Sequence, residues 1–261
     1  MKSNYRYIVK AFMAMAVIAG TTSCDDFLDR EPMSSISPET YYSTAAQLEA
    51  NLNDEYPNVL PSFGQWTYGI FGEDKGTDNQ IEVNANDRYT QDRWKVPHSE
   101  SDNWKFERIY RINFFLSEAL PKFGEDMSGS QNTISGSVAT IKHYIGEMYF
   151  LRAYEYFKKL QLFGDFPIIN QPLADEMEAL REASKRFPRN EVARFIISDL
   201  DKAYAYMSDV DMATTRINKD AAMLVKSRVA LFEATWLQNF KGTAFVPLSL
   251  IHISEPTRLA L

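Results

Sequence analysis

The chain has one cysteine and three histidines in 261 residues, and these two scarcities remove much of the chemistry open to a small enzyme. With Cys24 alone, no intramolecular disulfide and no two-thiol metal site can form. His98, His143 and His252 stand far apart, and no HExxH, GxGxxG or P-loop motif occurs. Basic residues are also in deficit, with 28 Lys and Arg against 35 Asp and Glu and a formal charge of −7. That balance argues against nucleic acid and against docking on anionic lipid through a basic face. Strand-type alternation over six or more residues is missing. The apolar stretch Ala11 to Gly20 is too short to span a membrane.

What is present begins at the N-terminus. Lys2, Arg6 and Lys10 precede that apolar stretch, and small residues lead on to Cys24, the layout of a secretory signal over residues 1–23. Removing it takes away three positive charges and no negative ones, so −7 becomes −10. Thr21-Thr22-Ser23-Cys24 looks like a bacterial lipobox, with Thr21 where that motif usually carries leucine. Cys24 is then the expected lipidation site, its thiol acylated (palmitate) to anchor the mature chain. Residues 24–43, with Pro32, Pro38 and several serines, read as a tether.

The body is helical by periodicity. Thr44 and Gln47 fit a capping box, and Ala45, Leu48, Leu52 and Tyr56 share a face, which predicts a helix over 44–60 that Pro57 and Pro61 kink or end. A second helix is expected over 104–120, with Asn113 buried in its middle and bridging to a neighbouring backbone. The long stretch from Ile141 to Phe163 is apolar on more than one side and needs neighbours on both flanks. It stops at Gly164, before an extended Phe166-Pro167-Ile168-Ile169. Asp175 to Glu182 reads as a solvated loop or short helix. Asn190 and Asn218 are placed to cap two further helices, the last with a stripe of Ala221, Ala222, Val225, Val229, Phe232 and Trp236. Successive helices with broad apolar faces suggest antiparallel pairs stacked in tetratricopeptide style, and Gly146, Ala153, Ala203 and Ala230 would let them approach closely.

Between Pro61 and Asp102 periodicity disappears, and Gly, Asn, Asp and aromatic residues dominate. A loop-rich region of that length is expected to do something. Trp66, Tyr68 and Trp94 can stack on an apolar ligand face, and Asp78 beside them can bind hydroxyls, which suits a sugar. The plainer reading is that such rings plug helix ends. His143 reads as a polar-face or boundary residue rather than a ligand. Arg152 and Glu155, three apart on one helix, read as a structural ion pair. No catalytic group, metal ligand or cofactor site is singled out. Carboxylate pairs suited to glycoside hydrolysis need a spacing of roughly 5 to 9.5 Å, which sequence does not supply.

Several blocks in order resemble the SusD/RagB nutrient-binding lipoproteins of Bacteroidetes outer membranes. They are CDDFLDREP after the signal, IYRINFFL, GEMYFLRAYEYFKKLQLFGDFP, RNEVARFIISDLDKAYAYM and TRINKDAAMLVKSRVALFEAT. The resemblance implies an all-α, tetratricopeptide-like fold of stacked helical hairpins with a long loop-rich insertion. It implies a lipid-anchored, surface-exposed protein of the cell outer membrane that binds oligosaccharides or other nutrients without catalysis. Such proteins sit on a SusC-like TonB-dependent transporter and deliver the ligand to it. Asp25 and Asp26 also resemble the acidic signal that sends lipoproteins to the outer surface in that phylum. A structural tetratricopeptide scaffold without ligand, or a glycoside hydrolase, are the alternatives. Family members are roughly twice as long, so residues 44–247 are expected to be an incomplete N-terminal helical domain. The tail 248–261 has no counterpart in the family pattern and reads as non-native.

Overall fold

The computed structural model describes residues 41–61, 103–208, 212 and 215–246. The signal, Cys24, Trp66, Tyr68, Asp78, Trp94 and the tail 248–261 lie outside the described residues. Among those described, the chain forms six helices and no strand. The first two are α1 (Ala45–Val59) and α2 (Glu107–Phe123). They are followed by α3 (Val138–Phe163), α4 (Met177–Ala183), α5 (Arg189–Tyr206) and α6 (Lys219–Asn239).

Local chemistry explains most of the boundaries. Thr44 and Gln47 form the capping box of α1, each side chain bonded to the other residue's backbone N–H. Pro57 stays within the last turn, and the helix stops when Leu60, preceding Pro61, takes the extended conformation. Helix α2 starts later than expected, because Trp104 lies before it and Phe106 is the N-cap. It also runs past Pro121. The ring removes one backbone donor near the C-terminus, and the full burial of Phe123 offsets that loss. Gly164, at φ +70°, ends α3 as anticipated. The acidic stretch contributes α4, which buries no residue.

Asn190 does not cap α5. Pro188 is the N-cap residue, and the free N–H of Arg189 is taken by the Asp165 carboxylate at 2.9 Å. Asn190 thus falls inside the first turn and is buried. Asn218 does cap α6 by accepting from the N–H of Ala221. Of the stripe read for α6, Ala222 and Val229 are buried, and Ala230, Glu233 and Leu237 complete that face. Ala221, Val225, Phe232 and Trp236 are only half-buried.

Helix α3 is the centre of the fold. From His143 to Leu160 every residue is buried except Tyr154 and Lys158, which are half-buried. It contacts α1, α2, α5 and, more lightly, α6, while α6 packs mainly on α5. Pairings run in opposite directions along α3 and α5: Tyr156 meets Phe195, Arg152 meets Asp199, and Tyr149 meets Tyr206. The two helices are therefore antiparallel, as are α5 and α6, where Asp201 pairs with Lys226 and Arg189 with Glu233. The close approach falls at Gly146. A Cβ there would stand 3.0 Å from the backbone nitrogen of Met207 and 3.2 Å from the carbonyl oxygen of Ala203.

Replacing Gly146 by Ala weighs two opposed effects. Alanine favours a helix interior by about 1 kcal/mol, whereas forcing two packed backbones apart costs about 1 to 3 kcal/mol. The second wins because the atoms met include backbone, which cannot swing away. Gly146→Ala should lower the melting temperature by a few degrees in a calorimetric scan, against the rise that propensity alone predicts.

Candidate functional site

Helix α3 carries His143, Glu147, Arg152, Glu155 and Lys159 in its buried run, and each must find a partner there. Arg152 meets Asp199 of α5 through two hydrogen bonds, Nε to Oδ2 at 2.7 Å and Nη2 to Oδ1 at 2.9 Å. Its Nη1 donates to Asn113 Oδ1 at 2.9 Å and to the carbonyl of Asn170 at 3.2 Å. The rings of Tyr149 and Phe195 flank the guanidinium, each centroid 5.1 Å away. Burial works against its charge, but the bonds to Asp199 outweigh that and hold Arg152 above the ordinary arginine value. The Arg152–Glu155 pair expected from their spacing does not form. Glu155 turns instead to Lys158, Lys159 and Arg108.

Asn113 donates its amide to the carbonyl of Ile169 at 2.9 Å, the expected bridge to a neighbouring backbone. The Tyr156 hydroxyl completes this grip by donating to the Ile169 carbonyl and accepting from the Ile169 N–H. The extended segment after Gly164 is thereby bonded along α3, and Phe166 pairs with Phe187 through both backbone groups.

The second cluster centres on Glu147. Arg216 binds it through Nε and Nη2 at 2.7 and 2.6 Å, and the Tyr56 hydroxyl donates to Oε2 at 2.6 Å. His143 is not the boundary residue that its position suggested. It is fully buried, with Nδ1 accepting from the N–H of Ser208 at 2.9 Å. An N–H can only donate, so Nε2 carries the proton, which it offers to Glu147 Oε1 at 2.8 Å and to the carbonyl of Ile217 at 3.1 Å. Burial favours the neutral acid at Glu147. The bonds from His143, Arg216 and Tyr56 outweigh it and hold the carboxyl below its usual value. Glu55, bonded through one oxygen to Arg111, goes the other way because burial dominates.

Each of the five buried carboxylates among the described residues, Glu55, Glu147, Glu155, Asp199 and Glu233, is held by at least one cation. No group of three His, Cys, Asp or Glu suited to a metal ion occurs among them. These clusters fasten loops to helices. The residues read as ligand contacts, Trp66, Tyr68, Asp78 and Trp94, lie outside the described residues. Sequence reading missed the cap from Asp165 and the partners of Arg152, His143 and Arg189. The available signal was His143, Glu147, Arg152, Glu155 and Lys159 standing in a helix that is apolar on several sides.

Known proteins place this architecture. A SusD-like family model, described as starch-binding and associating with the outer membrane, matches residues 26–231. The chain belongs to the SusD-like family. Two relatives of this SusD-like chain are SusD-like proteins of Formosa agariphila, each 25% identical. One aligns over 82% of this chain and 41% of its own length, the other over 92% and 46%. The chain thus spans less than half the length of these relatives. Among solved structures, a SusD-like carbohydrate-binding protein from Bacteroides fragilis superposes with a TM-score of 0.52 at 18% identity, covering 76% of this chain and 39% of that one. Another from Bacteroides vulgatus gives 0.50 at 16% identity, covering 75% and 43%. These likenesses establish the helical, tetratricopeptide-like fold.

Removing one partner of a buried, hydrogen-bonded ion pair costs about 3 to 5 kcal/mol. Arg152→Met should therefore lower the melting temperature of the SusD-like chain by roughly 10 °C. Lys185→Met, which breaks the exposed pair with Glu182, should change stability by less than about 0.5 kcal/mol. Equal effects of the two in denaturant titrations would contradict the assignment.

Glu147 adds a pH signature. Its folded pKa lies below the ordinary glutamate value of 4.5, so its contribution is fully present above that pH and is lost as pH falls through the folded value. Urea unfolding measured stepwise from about pH 6 to 3 should show a steeper loss for the wild type than for Glu147→Gln.

Proposed function

We propose that this chain is part of a surface lipoprotein that captures glycans or related nutrients and delivers them to a SusC-like TonB-dependent transporter in the outer membrane. The observation that carries the reading is the family match over residues 26–231, with its starch-binding and outer-membrane description. The sequence supports it at two further points. A signal followed by Cys24 supplies a lipid anchor, because acyl chains contribute roughly 0.8 kcal/mol per buried methylene and two or more hold a protein stably on a bilayer. The segment with Trp66, Tyr68, Asp78 and Trp94 supplies ring faces and a carboxylate, the groups that grip a sugar.

On this reading residues 1–23 are removed as the signal, residues 24–43 tether the anchor, and the helical body from residue 44 supports the binding segment. Capture needs no bond-making. The ligand is held against the protein, and delivery follows a change in how the protein sits on the barrel, driven by the difference in ligand affinity between the two arrangements.

The test is affinity electrophoresis of the gene product across a panel of polysaccharides, with detergent extraction of the membrane fraction to look for a co-purifying TonB-dependent transporter. Retardation by at least one glycan is expected. Trp94→Ala should weaken it several-fold, consistent with about 1 kcal/mol for a stacked ring, with little change in melting temperature. No retardation by any glycan together with no transporter in the extract would overturn the reading.

A further inference from the structure

Between the last turn of α4 and the first turns of α5 the chain turns basic. Residues 181–194 carry Arg181, Lys185, Arg186, Arg189 and Arg194 against Glu182 and Glu191, a local charge of +3 in a chain of −7. Two of these cations have a carboxylate of their own. Lys185 donates to both oxygens of Glu182, and Arg189 is buried against Glu233. Arg186 is exposed and, among the described residues, pairs with no carboxylate. Its guanidinium lies over the ring of Trp104, 4.7 Å from the centroid. Of the three exposed arginines in the stretch, Arg186 is the one held on a ring among the described residues.

The ring that holds it is itself fixed. Trp104 stands edge-on to Phe163 and Phe166, with centroids 4.8 Å apart in both cases, and to Phe106 at 5.7 Å. Phe166 is fully buried and stacks on Phe106 at 5.2 Å. Phe187, the residue after Arg186, exchanges both backbone hydrogen bonds with Phe166, at 3.1 and 3.2 Å. One buried residue therefore places both the ring and the backbone that carries the guanidinium. An exposed arginine ordinarily loses rotamer freedom when it grips a ligand, and here the ring has already taken part of that freedom away.

A guanidinium lying on a ring uses its flat face and keeps its in-plane N–H donors for other partners. Such a planar fork matches a carboxylate through two parallel bonds, and the oxygens of a sulfate accept from it in the same way. The Trp104 indole N–H has no acceptor among the described residues either. Phe187, 40% exposed, adds an apolar ring face beside the fork. These polar groups are all donors. A neutral sugar presents hydroxyls that also need acceptors, whereas a carboxylate or sulfate only accepts.

We propose that Arg186, held on Trp104 and flanked by Phe187, binds the carboxylate or sulfate of an acidic glycan. The assignment rests on the capture of glycans given above and narrows it to sugars that carry an anion. The negative charge of the whole chain repels a polyanion at long range, so recognition depends on this local fork.

The experiment is affinity electrophoresis of the wild-type chain in gels holding polygalacturonate, dextran sulfate, neutral dextran or starch. Retardation by at least one of the two acidic polymers is expected, and the polymer that retards the chain distinguishes carboxylate from sulfate. Arg186→Met should weaken that binding about tenfold, the loss expected for hydrogen bonds to a charged group. Arg228→Met removes the same charge from the exposed face of α6 and should change it by less than about twofold. Arg186→Lys keeps the charge without the fork and should fall between the wild type and Arg186→Met. Because Arg186 is exposed, melting temperature should stay unchanged in both of its variants.

Equal retardation of the wild type and Arg186→Met by the acidic polymers overturns the assignment, as does an equal loss in Arg228→Met. Should Arg186→Met unfold, Arg186→Lys carries the reading, since a loss at constant net charge still requires the fork and no loss overturns it. A wild type retarded by the neutral polymers alone overturns the acidic assignment and leaves glycan capture standing. Retardation by none of the four overturns both.

Discussion

The bond between Arg152 and Asp199 is the constraint on which the rest of the structure depends. A guanidinium in the middle of a buried helix is tolerable only if its charge is matched and its donors are used. Asp199 supplies the charge from α5. Asn113 supplies an acceptor from α2, and the Asn170 carbonyl supplies another from the segment after α3. Those partners come from three separate stretches of chain, so satisfying one side chain fixes how the stretches meet. Replacing such a network by apolar residues is often neutral or stabilising in other proteins. Its value here is better sought in specificity, because an apolar contact would hold α2, α5 and the Ile169 segment without fixing their register.

The same logic recurs along α3. His143 holds the N–H of Ser208 and the carbonyl of Ile217, one on each side of the connection between α5 and α6. Tyr156 holds both backbone groups of Ile169. Lys158 and Lys159 hold the carbonyls of Val59 and Asn103. In each case a polar group on the central helix satisfies a backbone group that no helix or strand could satisfy, where leaving it unpaired would cost about 1 to 3 kcal/mol. A helix that is apolar on several sides fills a core. One that also carries these groups becomes a post to which the connections are fastened.

That division of labour suits a binding protein of this family. The buried carboxylates, all matched by cations, belong to the body.

Much of this was legible in the sequence. The helices, the capping box of Thr44 and Gln47, the cap of Asn218 and the stop at Gly164 all follow from local rules acting within a few residues, and these survive any tertiary arrangement. The family blocks, above all FLRAYEYF with FGDFP, carried the fold class as well. What the sequence could not reveal were long-range partners. Spacing put Arg152 beside Glu155, yet Arg152 chose Asp199, forty-seven positions away, because the packed antiparallel pair of α3 and α5 brings a bidentate carboxylate to the guanidinium. Asn190 had the right side chain for a cap, yet Asp165 reached the free N–H of Arg189 from another loop and Asn190 went inside. Local preference is worth about 1 kcal/mol, and leaving a buried charge without its partner costs several times more. The sequence by itself therefore determined which residues form helices and which family they serve. Only the tertiary structure decided where each buried charge finds its partner.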